Sequence, residues 1–297
     1  MEEIIYLEKP VLHKPYLVVG FEGWPNAAEI STFVLQKLID NLEAKRFASI
    51  SSENFYQISS ARPFAVIKEG RLIDLKLGGN HLFYSKGVSS NDFILLQGVE
   101  PHLRWSAFAE LLLSLAKEFG VCQIITIGGT YDYTPHTYPA VVTALFNHES
   151  LREKVLKAGI GLTEYTGPVS IHTFILEAAK KKGMKAVSLW GHAPQYLHTR
   201  NFKAIYAVLQ KLNALVDIGI DLYELQQASE YFDQQVNELV EQDPKLQEII
   251  HKLEDVYKDS GQPGLLQEGA EASKDDKVVY IRAFLKKQED EENKEGA

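Results

Sequence analysis

Cysteine is almost absent from this chain. Cys122 is the single one in 297 residues, which excludes an internal disulfide framework. Long hydrophobic runs are lacking too: no stretch approaches the roughly 20 apolar residues that span a bilayer, so no membrane partner is expected. The opening Met1-Glu2-Glu3-Ile4-Ile5-Tyr6 is acidic where a signal peptide would be basic. Clustered positive charge is scarce, with 31 Lys and Arg against 40 Asp and Glu, a net charge of −9. Nucleic-acid binding needs a cationic surface to displace counterions, so no nucleic-acid partner is expected. The compact basic run Lys180-Lys181-Lys182 stands just before Gly183, where cations answer a helix dipole and Gly supplies the cap. These absences predict a cytoplasmic protein.

Signatures of known chemistry are missing as well. There is no dinucleotide fingerprint and no G-x-x-x-x-G-K-[ST] phosphate loop. Nine histidines are present, yet without H-E-x-x-H or paired Cys/His spacing, so no metal and no cofactor is expected. No G-x-S-x-G elbow surrounds a serine, which argues against an α/β-hydrolase nucleophile.

What the chain does have is a repeated design. Leu17-Val18-Val19-Gly20-Phe21-Glu22 runs into Gly23-Trp24-Pro25-Asn26. Phe93-Ile94-Leu95-Leu96 runs into Gly98-Val99-Glu100-Pro101, and Ile124-Ile125-Thr126-Ile127 into Gly128-Gly129-Thr130-Tyr131. Ala186-Val187-Ser188-Leu189-Trp190 does the same into Gly191-His192-Ala193-Pro194. Each reads as a buried strand entering a turn. In an open α/β sheet, ligands bind outside the carboxyl ends of the strands, where such turns gather.

At 45% hydrophobic the chain can bury a full core. Residues 16 to about 215 alternate strand and helix patterns, which predicts an α/β protein with a largely parallel sheet sandwiched by helices. Asn26-Ala27-Ala28-Glu29 has capping-box spacing before a helix carrying Phe33, Leu35, Leu38, Ile39 and Leu42. Phe64-Ala65-Val66-Ile67 and Leu72-Ile73-Asp74-Leu75 flank Lys68-Glu69-Gly70-Arg71 as a β-hairpin, expected at an edge or an oligomer contact. Pro101 suits the first turn of a helix over about 102–119, and a loop is expected over 130–139. From about 201 the pattern is helical alone. We divide the chain at 1–215 as the α/β domain, 216–258 as a helical hairpin packed on it, and 259–297 as linker, apolar island and acidic tail. The island is Val278-Val279-Tyr280-Ile281 with Ala283-Phe284-Leu285.

Several residues are candidates for chemistry. Glu22 ends the first strand beside Trp24 and Asn26, where a carboxylate can bind a hydroxyl or act as a base. Its structural alternative is a cap partner or a salt bridge at the sheet edge. Gly128-Gly129-Thr130 offers amides to an anion, against the simpler reading of a tight turn. His136 and His192 lie in the expected strand-end turns, and His172 opens a helix. Cys122, at the start of a buried strand, reads as a small core residue. Glu22, Trp24, Asn26, Gly129 and His192 together form the candidate ligand pocket.

Gly20-Phe21-Glu22-Gly23-Trp24-Pro25-Asn26-Ala27, Tyr165-Thr166-Gly167-Pro168 and Ser188-Leu189-Trp190-Gly191-His192-Ala193-Pro194-Gln195-Tyr196, in this order, resemble the proteasome assembly chaperone 2 family. The resemblance runs over about 10–257. It implies a nucleoside-phosphorylase-like α/β sandwich with a C-terminal helical extension, and self-association or pairing with a related subunit, a homo-trimer being the expectation. It also implies a non-enzymatic protein-assembly or scaffold role, since the understood members hold proteasome α subunits during ring assembly. A protein partner would be met through the C-terminal helices or the tail. Some archaeal relatives insert a terminal hydrophobic–tyrosine–any tripeptide between α subunits. The sequence here closes on Glu295-Gly296-Ala297, and Val279-Tyr280-Ile281 reproduces the tripeptide only internally. The alternative is a small-molecule enzyme or sensor using the strand-end pocket.

Overall fold

The computed structural model describes residues 3–260 except 52–53, 61, 77 and 88–90, so the apolar island and acidic tail lie outside the described residues. The chain begins with β1 (Ile4–Tyr6), β2 (Tyr16–Glu22), α1 (Ile30–Asn41) and β3 (Lys45–Ile50). A separate hairpin follows, β4 (Phe64–Lys68) with β5 (Arg71–Lys76). Next come β6 (Asn80–Ser85), β7 (Phe93–Val99), α2 (Trp105–Glu118), β8 (Gln123–Asp132) and β9 (Val142–Phe146). Then α3 (Arg152–Lys157), β10 (Gly161–Leu162), α4 (Ile171–Lys181) and β11 (Ala186–Pro194) lead to three helices, α5 (Phe202–Val216), α6 (Tyr223–Gln242) and α7 (Pro244–Ser260).

Among the described residues the large sheet has nine strands, ordered β1-β3-β6-β7-β2-β8-β11-β9-β10. Its centre, β7-β2-β8-β11, is parallel, with Leu17 opposite both Ile94 and Ile124 and Leu189 opposite Ile127. The flanks β1-β3-β6 join β7 antiparallel, and β9 joins β11 antiparallel. Parallel strands need cover on both faces, and the side-chain alternation supplies two apolar surfaces. Val18, Leu95, Ile125, Ile127, Val187 and Leu189 pack under Val34, Leu38, Ile205 and Leu209 of α1 and α5. Leu17, Val19, Phe21, Ile94 and Ile124 pack under Phe108, Leu112, Ile175 and Leu176 of α2 and α4. The connection leaving β2 thus crosses one face and the one leaving β7 crosses the other. The ends of these adjacent strands are a topological switch point.

The local structure differs from the sequence expectation in several places, each for a physical reason. The strand pattern continues through glycines read above as turns: β8 runs through Gly128 and Gly129, β11 through Gly191, and β7 through Gly98. These glycines mark close packing, not chain reversal. A Cβ on Gly129 would stand 2.6 Å from the Ala27 carbonyl oxygen, and one on Gly191 would stand 2.7 Å from Val208 Cγ2. The expected loop therefore begins after Asp132 instead of at Thr130. The capping box does not form either. Residues Ala27–Glu29 make one 3-10 turn with Ala28 and Glu29 left-handed (φ 51° and 57°), and α1 starts at Ile30. Asn26 caps from one turn further out, its Oδ1 accepting from the Thr32 amide at 3.0 Å. Pro101 precedes α2 by four residues and accepts a hydrogen bond from Trp105 Nε1. Cys122 is exposed at the mouth of β8 and is not a core residue.

Two expectations hold in detail. The hairpin turns through Glu69 and Gly70, both at positive φ, as a two-residue turn matching strand twist requires. Asp243 caps α7 ahead of Pro244, its Oδ1 accepting from the amides of Lys245 and Leu246. Helices α6 and α7 bury Phe232, Val236, Leu246 and Ile250 against Leu197, just past the end of β11.

Candidate functional site

The carboxyl edge of the central strands carries a cleft of about 530 Å³, lined by Glu22, Asn26, Thr32, His81, Gln97 and the backbone of Gly78 and Gly79, among others. It lies at the switch point between β2 and β7. Its wall is built by the turn after β2, where Gly23 takes φ +118° and leaves 3.3 Å between a would-be Cβ and Glu100. Glu100 fixes that turn from the next strand. Its amide donates to the Glu22 carbonyl at 2.8 Å, and its carboxylate accepts from the Ile171 amide at the start of α4 (2.9 Å) and from the Trp24 amide. Burial pushes the Glu100 carboxyl up, against the pull of these amides.

The polar groups of the cleft are unequally committed. Asn26 Nδ2 donates to Thr32 Oγ1 at 3.0 Å, and Gln97 Nε2 to the Thr32 carbonyl at 3.3 Å. Glu29 is held by Arg200, with Nε and Nη2 at 2.8 and 2.6 Å. The Glu22 side chain has no hydrogen bond or ion pair among the described residues. His81 is lowered by burial, with Arg46 adding to the effect, which keeps it neutral, and its Nδ1 is buried without a partner among the described residues. Beneath the cleft, Asn80 donates to the Tyr56 hydroxyl, which donates to the Val99 carbonyl at 2.5 Å. Glu22 is thus the side chain on the cleft left uncommitted, and a carboxyl group there suits a ligand that offers donors.

A second polar group sits two strands away, at the ends of β8 and β11. His192 Nδ1 meets Asp132 Oδ2 at 2.8 Å, and Nε2 meets Thr143 Oγ1 at 3.0 Å. With Nδ1–H donated to the carboxylate, Nε2 is left to accept the Thr143 hydroxyl, whose oxygen accepts from Thr163 at 3.0 Å. The order of groups is that of a Ser-His-Asp triad. Its surroundings are not, because the neighbouring cavity at His192 holds about 10 Å³, room for one water. The network ties β8, β9 and β11 together. His136 is equally committed: its ring meets the Tyr196 hydroxyl at 2.7 Å and Asn237 Oδ1 at 3.0 Å, and burial lowers it. His172 is wholly buried between the Phe21 and Trp190 rings, and burial lowers it to about 3.

The structure therefore separates the five residues grouped from the sequence. Glu22 and Asn26 line the cleft. Gly129 backs Asn26 through a parallel bridge, its amide donating to Pro25 at 2.8 Å, and is walled off by Ala27 and Ile30. Trp24 is 60% exposed and meets Trp190 edge-on, and His192 belongs to the Asp132 network. Thr32, His81, Gln97 and the Gly78-Gly79 rim were not anticipated. Of these only the paired glycines before a strand carried any local signal. Among the described residues no three His, Cys, Asp or Glu side chains gather as a metal site, and no helix is long and apolar enough to cross a membrane.

Fold and site together define an α/β protein whose parallel core is sandwiched by helices, with an open cleft at the switch point and a free-standing hairpin on its rim. Residues 20–240 match the PAC2 family, and the chain belongs to it. It is similar to a PAC2 family protein from Streptomyces avermitilis, at 29% identity over 79% of this chain and 99% of that one (TM-score 0.72). A Corynebacterium glutamicum protein of unknown function aligns at 25% identity over 87% and 97% (TM-score 0.78). A Mycobacterium tuberculosis proteasome-assembly chaperone homologue aligns at 26% identity over 79% and 99% (TM-score 0.73). Comparison with curated proteins finds no match.

Proposed function

We propose that the chain is a non-enzymatic assembly or scaffold protein that acts through the surfaces of a homo-oligomer, and that it engages other proteins there. The observation that carries this reading is the β4–β5 hairpin. Phe64, Ile67, Leu72, Ile73 and Leu75 are all more than half exposed on it, Phe64 at 68% and Leu72 at 62%. A two-stranded hairpin is marginal alone in water, and contiguous exposed apolar surface marks protein interaction sites. Similarity to a proteasome-assembly chaperone homologue supports the same class of role.

Native mass spectrometry of the protein purified from its host tests it. The expected result is a homo-oligomer, three copies by resemblance, or a complex with a second protein, either one dissociated by Ile73→Asp. A monomer carrying no protein would refute the reading.

The cleft supports a second reading, a small-molecule enzyme or sensor site, because a volume of about 530 Å³ at the switch point exposes an uncommitted Glu22. That reading expects a stoichiometric small molecule in the same spectra, lost in Glu22→Gln.

A further inference from the structure

Past its first turns, the α6–α7 helical pair is held to the body by a small apolar cluster and by polar contacts that converge on His136, between β8 and β9. Leu225 at the start of α6 belongs to the core under α5. From Phe232 onward the buried residues of the pair, Phe232, Val236, Leu246 and Ile250, meet Leu197 in a separate cluster. Lys203 of α5 donates to the His136 carbonyl at 2.6 Å and meets Asp233 of α6 at 2.7 Å. Thr137 donates to Glu254 of α7 at 2.5 Å. The His136 ring bridges the two sides, to Tyr196 just past β11 and to Asn237 of α6.

The protonation state of that ring follows from its partners. The Tyr196 hydroxyl oxygen accepts from the His136 amide at 2.7 Å, which leaves the hydroxyl proton for Nδ1, also at 2.7 Å. Burial pushes the Tyr196 hydroxyl up, so it keeps that proton. Nδ1 is then an acceptor, and Nε2–H donates to Asn237 Oδ1 at 3.0 Å. A second ring proton has no place. At Nδ1 it would face the Tyr196 proton along the same line, and His136 is only 3% exposed.

Charges reach the ring from each element packed on it. Burial lowers its pKa; the bond to Asn237 and the carboxylates of Asp233 and Glu254 raise it, and Lys203 lowers it again. Burial prevails, because Asp233 is paired with Lys203 and Glu254 already accepts from Thr137. A charged ring regains solvation at least cost by opening the α6–α7 side, since α5 and the strand ends are rooted in the main core.

We propose that His136 is a proton-operated latch: a proton taken up by its ring releases the α6–α7 pair from Phe232 onward, while the sheet and its other helices stay folded. The released state uncovers Leu197 and the inner faces of α6 and α7, an apolar surface that neutral pH hides. A released ring titrates near 6.5 and the latched ring below it. The latch is therefore fully made above about pH 6.5 and is lost progressively as pH falls. None of this depends on the scaffold reading.

Hydrogen exchange read by mass spectrometry on the full chain tests it at about pH 7.5 and 5.5, with rates corrected for the intrinsic effect of pH. The comparison is with His136→Gln, which keeps a donor for Asn237 and does not titrate. If the ring takes its proton only when released, the limiting change between these conditions is about tenfold. The amides of 232–256 should lose protection about three- to tenfold in the wild type and not in the variant, with β2, β7 and β8 unchanged in both. The exposed His251, which meets Glu254 at 3.6 Å, is common to the two proteins and cancels. An equal response in both, or none in the wild type, would overturn the proposal. Exchange of the His136 ring Cε1 hydrogen reads its pKa directly. A value at or above 6.5 in the wild type would overturn it as well, whether or not the Gln variant keeps its helices docked.

Discussion

His172 makes the stability of this protein depend on acidity in a way that can be worked out from its surroundings. The imidazole is wholly buried between Phe21 and Trp190, and neither ring nitrogen has a hydrogen-bond partner among the described residues. Burial lowers its pKa from 6.5 to about 3. The unfolded chain therefore takes up a proton near pH 6.5 that the folded chain refuses until about pH 3. In that window the unfolded state binds more protons, so stability rises with pH. The contribution is fully present above pH 6.5 and is lost progressively as pH falls toward 3. Integrated from pH 7 to pH 5, the loss from this one group is about 2 kcal/mol. His172→Phe keeps a ring in the same slot and removes the titration. Urea unfolding at pH 7 and pH 5 should show the wild type losing about 2 kcal/mol more than the variant between the two conditions. Carboxylates common to both proteins cancel in that difference. An equal loss in wild type and variant would refute the claim that His172 is buried neutral.

Other outcomes follow from single contacts. Gly129→Ala should destabilise by about 2 kcal/mol or more, because the new methyl meets the Ala27 carbonyl at 2.6 Å, while Gly161→Ala, with 3.5 Å to its nearest neighbour, should shift the urea midpoint little. His192→Ala leaves Asp132 and Thr143 without their partner in a nearly closed site and should cost about 2 kcal/mol in the same assay. Glu22→Gln touches no ion pair and should change stability by less than about 0.5 kcal/mol, so any loss of a bound molecule in that variant reports the cleft.

Much of the fold was legible because its signals are local. Uninterrupted runs such as Phe93-Ile94-Leu95-Leu96, closed by a glycine and a proline, read as strands covered on both faces, and Glu69-Gly70 between apolar runs reads as a hairpin turn. The glycines inside β8 and β11 misled because a sequence records a missing Cβ and not what passes over it. At Gly129 that is the backbone of Ala27, a hundred positions earlier. The same limit applies to the cleft. Glu22 and Asn26 announce themselves beside an apolar run, but His81 and Gln97 reach them only because β6 and β7 return to pair beside β2. Asn26-Ala27-Ala28-Glu29 has the letters of a capping box, yet Arg200, fixed by the start of α5, takes the Glu29 carboxylate away from that role.

That last substitution of partners leaves Ala28 and Glu29 as two successive non-glycine residues at left-handed φ, each unfavourable by roughly 1–2 kcal/mol. They are held open from outside the turn: the Tyr131 hydroxyl accepts from the Ala28 amide, the Asn201 amide donates to the Ala28 carbonyl, and Arg200 grips Glu29. The entry to α1 is in effect a cocked spring with three catches, and the same residues, Asn26, Glu29 and Thr32, form one side of the cleft. Releasing a catch, for instance with Arg200→Met, should let the turn relax toward an ordinary helix start, read as faster amide exchange at Ile30–Thr32. Unchanged exchange there would mean that the catches carry no load. The cleft's most adjustable wall is then set by the end of β8 and the residues that lead into α5, none of which lines the cleft.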